Sequence, residues 1–329
     1  MDPKVDFAEK SILITGGLGF IGSNLARRLV ALGARVSLVD SLIPEYGGNL
    51  FNIEGMEKNV HVNISDVRDE HSMRFLVQGH DYLFNLAGQT SHLDSMQDPY
   101  ADLEINCRAQ LSILEACRKN NPKIKIIFAS TRQLYGKPDY LPVDERHLLR
   151  PVDVNGINKM AGEWYHILYN NVYGIRACAL RLTNTYGPRM RVKDARQTFL
   201  GIWIRNLVEE KAFEVWEGTQ LRDFTYVDDA VEALLLAAAN ESSNGQVFNL
   251  GGERAISIHN FAELLVRING GGRFVLRSFP PERKRIDVGD YYADFSHIKS
   301  VLGWQPLVKL EDGLALTLAF YRDHLPRYL

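Results

Sequence analysis

The chain has 329 residues, 46% of them apolar and 24% charged, which is ordinary for a folded protein and enough for one large or two modest domains. Its 38 basic and 40 acidic residues leave a formal charge of −2, so there is no global basic field to grip nucleic acid or an anionic membrane. The longest apolar runs, such as residues 233–239, fall far short of the roughly 20 that span a bilayer, residues 1–10 lack the apolar stretch of a secretory signal, and Cys107, Cys117 and Cys178 make neither a metal pattern nor an even disulfide set.

In chain order, residues 11–15 (SILIT) form a short apolar run that ends in glycines, and residues 21–32 have helical spacing, stopped by Gly33. Residues 35–39 read as a second strand ended by Asp40, residues 59–64 as a third, and residues 81–86 as a fourth. A long helix follows over 103–119, then a strand over 124–129, another long helix over 155–173, and a strand over 175–182. Near-continuous apolar strands separated by helices predict an α/β fold, a doubly wound parallel sheet of Rossmann type covered on both faces. After residue 183 the rhythm loosens, with helices expected over 197–209, 227–240, 259–269, 297–302 and 310–321, and a possible return to the sheet at 246–250. The expected organisation is a dinucleotide-binding domain at 1–185 plus about 223–265, and a smaller lobe at 186–222 and 266–329.

Between the first strand and helix lies Gly16-Gly17-Leu18-Gly19-Phe20-Ile21-Gly22, which satisfies G-x-G-x-x-G and the wider G-x-x-G-x-x-G. Glycines there allow a tight turn, close approach of a pyrophosphate and close helix–sheet packing, and the helix N-terminus offers free N–H groups to phosphate. Asp40, ending the next strand, has the place of a carboxylate that accepts the adenosine ribose hydroxyls and repels a 2′-phosphate, which favours NAD over NADP. Asp66, after the third strand, reads equally as an adenine contact or as a helix N-cap.

At Thr15–Gly22 the sequence resembles the extended short-chain dehydrogenase/reductases, specifically the NAD-dependent nucleotide-sugar epimerases and dehydratases. The likeness continues through residues 85–89 (NLAGQ), Asn106, residues 128–136 (FASTRQLYG), residues 181–189 (RLTNTYGPR), residues 221–229 (LRDFTYVDD) and residues 293–304. It implies bound NAD that oxidises a sugar carbon and returns the hydride, and a nucleotide-diphosphate sugar held by the lobe. It further implies that Gly16, Gly19, Phe20, Ile21, Gly22 and Asp40 hold the cofactor. Asp66, Val67, Leu86, Ala87, Gly88, Asn106 and Lys159 complete that set. Thr131 would bond the reacting oxygen. Gln89, Ser91, Asn184 and Arg189 would line the substrate, and Val215 and Trp216 would receive the base. Asn184 and Arg222, with Arg283 or Arg285 as a second arginine, would contact the diphosphate; an ion pair of Arg222 with Asp223 or Asp228 is the structural alternative.

Two departures from the family pattern bear on chemistry. The family's acid/base tyrosine stands four residues before the lysine, and that position is Asn155; an amide donates and accepts hydrogen bonds but transfers no proton near neutrality. After Thr131 come Arg132 and Gln133, where 4,6-dehydratases carry Asp-Glu and decarboxylases a glutamate. The expected function is therefore a 4-epimerase-like enzyme, with an atypical dehydratase or oxidoreductase, or a non-catalytic NAD- or sugar-nucleotide-binding protein, as alternatives. His92, in the loop after the fourth strand, is the titratable candidate to replace the tyrosine, against the reading of an ordinary loop histidine. A cytoplasmic homodimer built on the helices near 103–119 and 155–173, without a metal, nucleic-acid or membrane partner, completes the expectations.

Overall fold

The computed structural model describes residues 6–196 and 198–329. The expected helix start at Gln197 and residues 1–5 of the segment read as signal-free lie outside them. The elements are β1 (Ser11–Thr15), α1 (Phe20–Ala31), β2 (Arg35–Asp40), β3 (Val60–Ile64), α2 (Glu70–Leu76), β4 (Tyr82–Asn85), α3 (His92–Gln97), α4 (Pro99–Leu103), α5 (Ala109–Asn120) and β5 (Lys125–Thr131). They continue with α6 (Val154–Tyr173), β6 (Arg176–Leu182), β7 (Asn184–Tyr186), α7 (Phe199–Val208), β8 (Phe213–Trp216), β9 (Leu221–Arg222), β10 (Phe224–Tyr226) and α8 (Val227–Ala239). The last are β11 (Val247–Asn249), β12 (Ile256–Ser257), α9 (Ile258–Asn269), β13 (Phe274–Arg277), α10 (Pro281–Lys284), α11 (Ser296–Leu302) and α12 (Leu310–His324).

Seven strands form one sheet in the order β3-β2-β1-β4-β5-β6-β11, every neighbouring pair parallel. This is the doubly wound arrangement expected, and β11 is the predicted late return. Side chains alternate along each strand. Ile12 and Ile14 of β1 join the core under α1 and α8, while Leu13 joins the opposite core under α2, α5 and α6. The strand order reverses between β1 and β4, and the crevice beyond the strand ends at that reversal is where such sheets bind ligands.

Beyond the sheet, α7, α9 and α12 pack together around the parallel pair β8–β13, sealed by stacked rings such as Phe224 on Phe261, 4.1 Å apart. Within the stretch expected to return to the sheet, α8 does pack on β5 and β6, whereas α9 packs on α12 and β8. The long helix expected over 103–119 is interrupted by a π-helical turn at Glu104–Arg108, which brings Asn106 inward. π-turns of this kind cluster at functional sites. Among the described residues no helix is long and apolar enough to cross a membrane.

Candidate functional site

A cavity of about 950 Å³ opens at the strand reversal and runs from the glycine loop to the lobe, at the upper end of the roughly 300–1,000 Å³ usual for ligand sites. Its first wall is the β1–α1 turn. Gly16 has φ +68°, and a methyl on Gly22 would lie 2.2 Å from the Gly16 carbonyl oxygen, so both positions require glycine. Gly19 is the N-cap of α1 and carries no side chain over the helix end. Asp40 accepts from the Leu18 and Leu42 N–H groups at 3.0 and 2.9 Å; burial pushes its carboxyl above the ordinary value, against those two bonds. Thr15 Oγ1 accepts from the Leu86 and Ala87 N–H groups, which tethers the 86–88 loop beside the turn. Phe20, Ile21, Asp66, Val67, Leu86, Ala87 and Gly88 all line the cavity. Asp66 is not a helix cap: Asp69 caps α2, and Asp66 pairs with Arg68 at 2.6 Å, which holds its carboxyl below the ordinary range.

The polar floor comes from β5 and the first turns of α6. Thr131 Oγ1 accepts from the Gln133 N–H, which leaves the hydroxyl hydrogen for the cavity. Lys159 is buried, its Nζ donating to the Ala129 carbonyl at 3.2 Å and lying 5.1 Å from the centre of the Phe128 ring. Desolvation pushes its amine down to about 8, with Asp102 opposing. The orphaned, buried Oδ1 of Asn106 faces the same point. A methyl on Gly88 would lie 2.8 Å from both that oxygen and Lys159 Nζ. An unsatisfied acceptor, a cation without a full counter-charge and bare glycine backbone together suit a polar ligand such as a nicotinamide ribose.

Asn155 lines the cavity but spends its amide nitrogen within the protein. Its Nδ2 donates to the Gln89 carbonyl at 2.9 Å and to Asp102 at 3.0 Å. Two acceptors fix the amide's orientation, so Oδ1 is the atom left for the cavity wall. Asp102, fully buried, gathers Asn106, Asn155 and Asn158. This carboxylate carries no signal in the sequence, where it reads as one more acidic residue in a helix.

His92 is the first residue of α3, not a loop residue, and lines the cavity with its side chain partly exposed. Its Nδ1 lies 2.8 Å from Asp153 Oδ2, approached off the ring N–H direction. Asp153 also caps α6 through the Gly156 N–H and accepts from Gln133. Burial raises its carboxyl, and His92 with these donors more than offsets that, holding it below the ordinary value. Neither the cap at Asp153 nor its pairing with His92 was read from the sequence.

Gln89 and Ser91 line the cavity just after β4, and Asn184, Trp216, Arg222 and Arg283 line it toward the lobe. Arg283 lies 4.6 Å over the Trp216 ring. Arg222 pairs with Asp287 rather than with Asp223 or Asp228, and also bonds the Leu221 and Gly289 carbonyls. Burial and the neighbouring Arg132 push it down to about 10. Three expected substrate residues stand elsewhere. Val215 is wholly buried in the core because β8 alternates and Trp216 takes the cavity side. Arg189 bonds Asn24 of α1 at 3.0 Å and covers the Phe320 ring of α12, which makes it a clamp between elements. Arg285 follows α10 and is absent from the lining, whereas Arg283, within that helix, faces in. Asn106 acts from behind the lining.

The profile of the NAD dependent epimerase/dehydratase family matches residues 12–251. The chain is 32% identical over 335 residues to the UDP-N-acetyl-alpha-D-glucosaminuronate decarboxylase of Bacillus cytotoxicus, covering 96% of this chain and 98% of that one. It is 31% identical over 314 residues to the UDP-glucose 4-epimerase of Mycolicibacterium smegmatis, covering 94% and 98%. The crystal structure of the Thermotoga maritima UDP-glucose 4-epimerase with UDP-glucose superposes with a TM-score of 0.87 at 31% identity, covering 95% and 99% of the two chains.

Proposed function

The chain belongs to the NAD dependent epimerase/dehydratase family, and from that premise we propose that it is a nucleotide-diphosphate-sugar epimerase of the 4-epimerase kind. The observation that carries the reading is the convergence of Thr131, Lys159 and His92 on one cavity joining the glycine loop to Arg222. NAD, when bound, supplies the acceptor that takes a hydride from a sugar carbon and returns it. The turn Gly16–Gly22 and Asp40 hold the dinucleotide, and Lys159 and Asn106 meet its inner ribose. Thr131 holds the reacting hydroxyl. His92 takes the hydroxyl proton as the hydride leaves and gives it back on return, the task for which Asn155 has no titratable group. Asp153 orients the imidazole. Asn155 accepts one substrate hydroxyl through Oδ1.

Isomerase chemistry is favoured over lyase chemistry because Arg132 and Gln133 place no carboxyl after Thr131. The nucleotide sugar spans from Thr131 to Arg222 and Arg283, with its base at Trp216. We assign the sheet, α8 and β11 to the NAD-binding domain, and α9 to the sugar-binding lobe.

The partner of this protein is a second copy of itself in the cytoplasm. Ile157, Trp164, Leu168 and Val172 form an exposed apolar stripe along α6, flanked by Tyr100 and Leu103; a surface of this kind on the described residues suits an isologous contact. A monomer in light scattering at micromolar concentration would rule that out. The function is tested by incubating the protein with UDP-glucose or UDP-glucuronate and following the sugar by NMR. Appearance of the 4-epimer is the expected result. A 4-keto-6-deoxy sugar or a pentose with carbon dioxide replaces the epimerase reading with a lyase, and binding without any product replaces it with a non-catalytic role.

A further inference from the structure

Arg132 is a half-buried cation at the cavity wall that no carboxylate bonds, the nearby buried Asp223 acting on it only through space. Its Nη2 donates to Asn184 Oδ1 at 3.2 Å, and its guanidinium lies 5.1 Å over the Tyr291 ring. Nη1 is buried and has no hydrogen-bond partner. Among the described residues no carboxylate forms an ion pair with it, whereas buried or half-buried arginines nearby are paired: Arg181 with Glu163, Arg222 with Asp287. Arg132 and Arg222 also repel one another, since the charge of Arg132 is among the causes that lower Arg222. Leaving a buried guanidinium nitrogen without a hydrogen bond beside a second arginine is costly, and an anionic ligand is what relieves it.

The position of that anion follows from the backbone. Arg132 is the residue after Thr131, at the end of β5 where Lys159 and Asn155 also converge, while Arg222 and Arg283 face the cavity from the lobe. A neutral hexose brings only hydroxyls to the β5 side, and hydroxyls do not balance a charge. A planar fork held between an aromatic face and an amide oxygen, with one terminal nitrogen unbonded, matches a carboxylate. Resting on the nucleotide-sugar reading above, we propose that Arg132 receives a carboxylate carried by the sugar, so that the substrate is a nucleotide sugar acid rather than a neutral nucleotide hexose.

The test is calorimetric titration of the NAD-loaded protein with UDP, UDP-glucose and UDP-glucuronate, repeated with Arg132→Gln and Arg132→Lys. Wild type is expected to bind UDP-glucuronate more tightly than UDP-glucose. Arg132→Gln should weaken UDP-glucuronate by roughly 10- to 100-fold, the equivalent of one hydrogen bond to a charged group, and leave UDP and UDP-glucose within about twofold. Arg132→Lys should keep part of the preference, having the charge without the fork. Equal weakening of all three ligands by Arg132→Gln overturns the proposal and makes Arg132 a diphosphate contact. No preference for UDP-glucuronate in wild type overturns it as well. A wild-type protein that takes up NAD but none of the three ligands overturns it together with the nucleotide-sugar reading, an outcome recognisable because UDP itself fails to bind.

Discussion

Lys159 and Glu163 stand one turn apart on α6, both facing β5, and the two charges are treated in opposite ways. Glu163 is closed off: Arg181 reaches it at 2.5 and 3.0 Å, Ser130 donates at 2.6 Å, and Arg181 completes its own shell with the Tyr135 hydroxyl. Burial works to lower Arg181, but Glu163 and Tyr135 outweigh it and raise it above the ordinary value. Lys159 has one carbonyl, a ring face and a distant carboxylate. Below it, His166 is sealed in the core: Nδ1 donates to the Gly162 carbonyl, Asn85 donates to Nε2, and the ring stacks on Phe128. The difference separates structure from function. A buried charge answered within the protein holds elements together, and one left short of partners at a cavity wall is poised for a ligand.

The largest effect expected from this contrast is at the closed pair. Glu163→Gln leaves Arg181 buried without its counter-charge and should cost about 3–5 kcal/mol in urea denaturation; a loss under about 1 kcal/mol would mean that the pair is not what holds β6 to α6. Lys159→Met should do the reverse. The folded amine, at about 8, is depressed from its ordinary 10.5, so the charged form is disfavoured by folding. Wild-type stability without cofactor should therefore rise as pH climbs from about 8 to 10.5, where the unfolded chain still holds the proton and the folded one has lost it. The variant should lack this rise and be more stable at pH 7 by on the order of 3 kcal/mol, while its turnover falls by roughly 10²-fold or more. A destabilised Lys159→Met would place Lys159 with Arg181 among the answered charges.

The dyad beside the tyrosine position gives the next test. His92→Gln should flatten the acid limb of the pH–rate profile and slow turnover by about 10²-fold. Asp153→Asn keeps a capping oxygen on α6 but loses the charge against the imidazole, so it should lower the rate while the melting temperature stays near wild type. If His92→Gln leaves both rate and profile unchanged, another group moves the proton. Asn155→Ala should be the smallest, about tenfold in rate, one neutral hydrogen bond's worth. A much larger loss of stability than of rate would make Asn155 a strut for Asp102 and Gln89 rather than a substrate contact.

Much of the fold was legible because its causes are local. The run 11–15, the glycines 16–22 and Asp40 specify strand, turn and helix start within thirty residues, since only glycine permits the backbone contact at Gly22 and apolar strands have a parallel sheet as their one well-buried solution. The short strands β7, β9, β10 and β12 went unread, as two or three residues carry no periodicity and exist through their partners. The site divides in the same way. Residue types at motif positions indicated which side chains to inspect, but not how each one's hydrogen bonds are spent. Asn155 faces Asp102 because α4 packs on α6, Arg189 serves α1 and α12 because both pass over it, and Arg132 is left without an ion pair because Asp223, the acid nearby, is spent on Thr183 and the Ala293 N–H. Propensity and motif act along the chain; compensation of a buried polar group depends on which distant segments fold against it, and that was decided only by the tertiary structure.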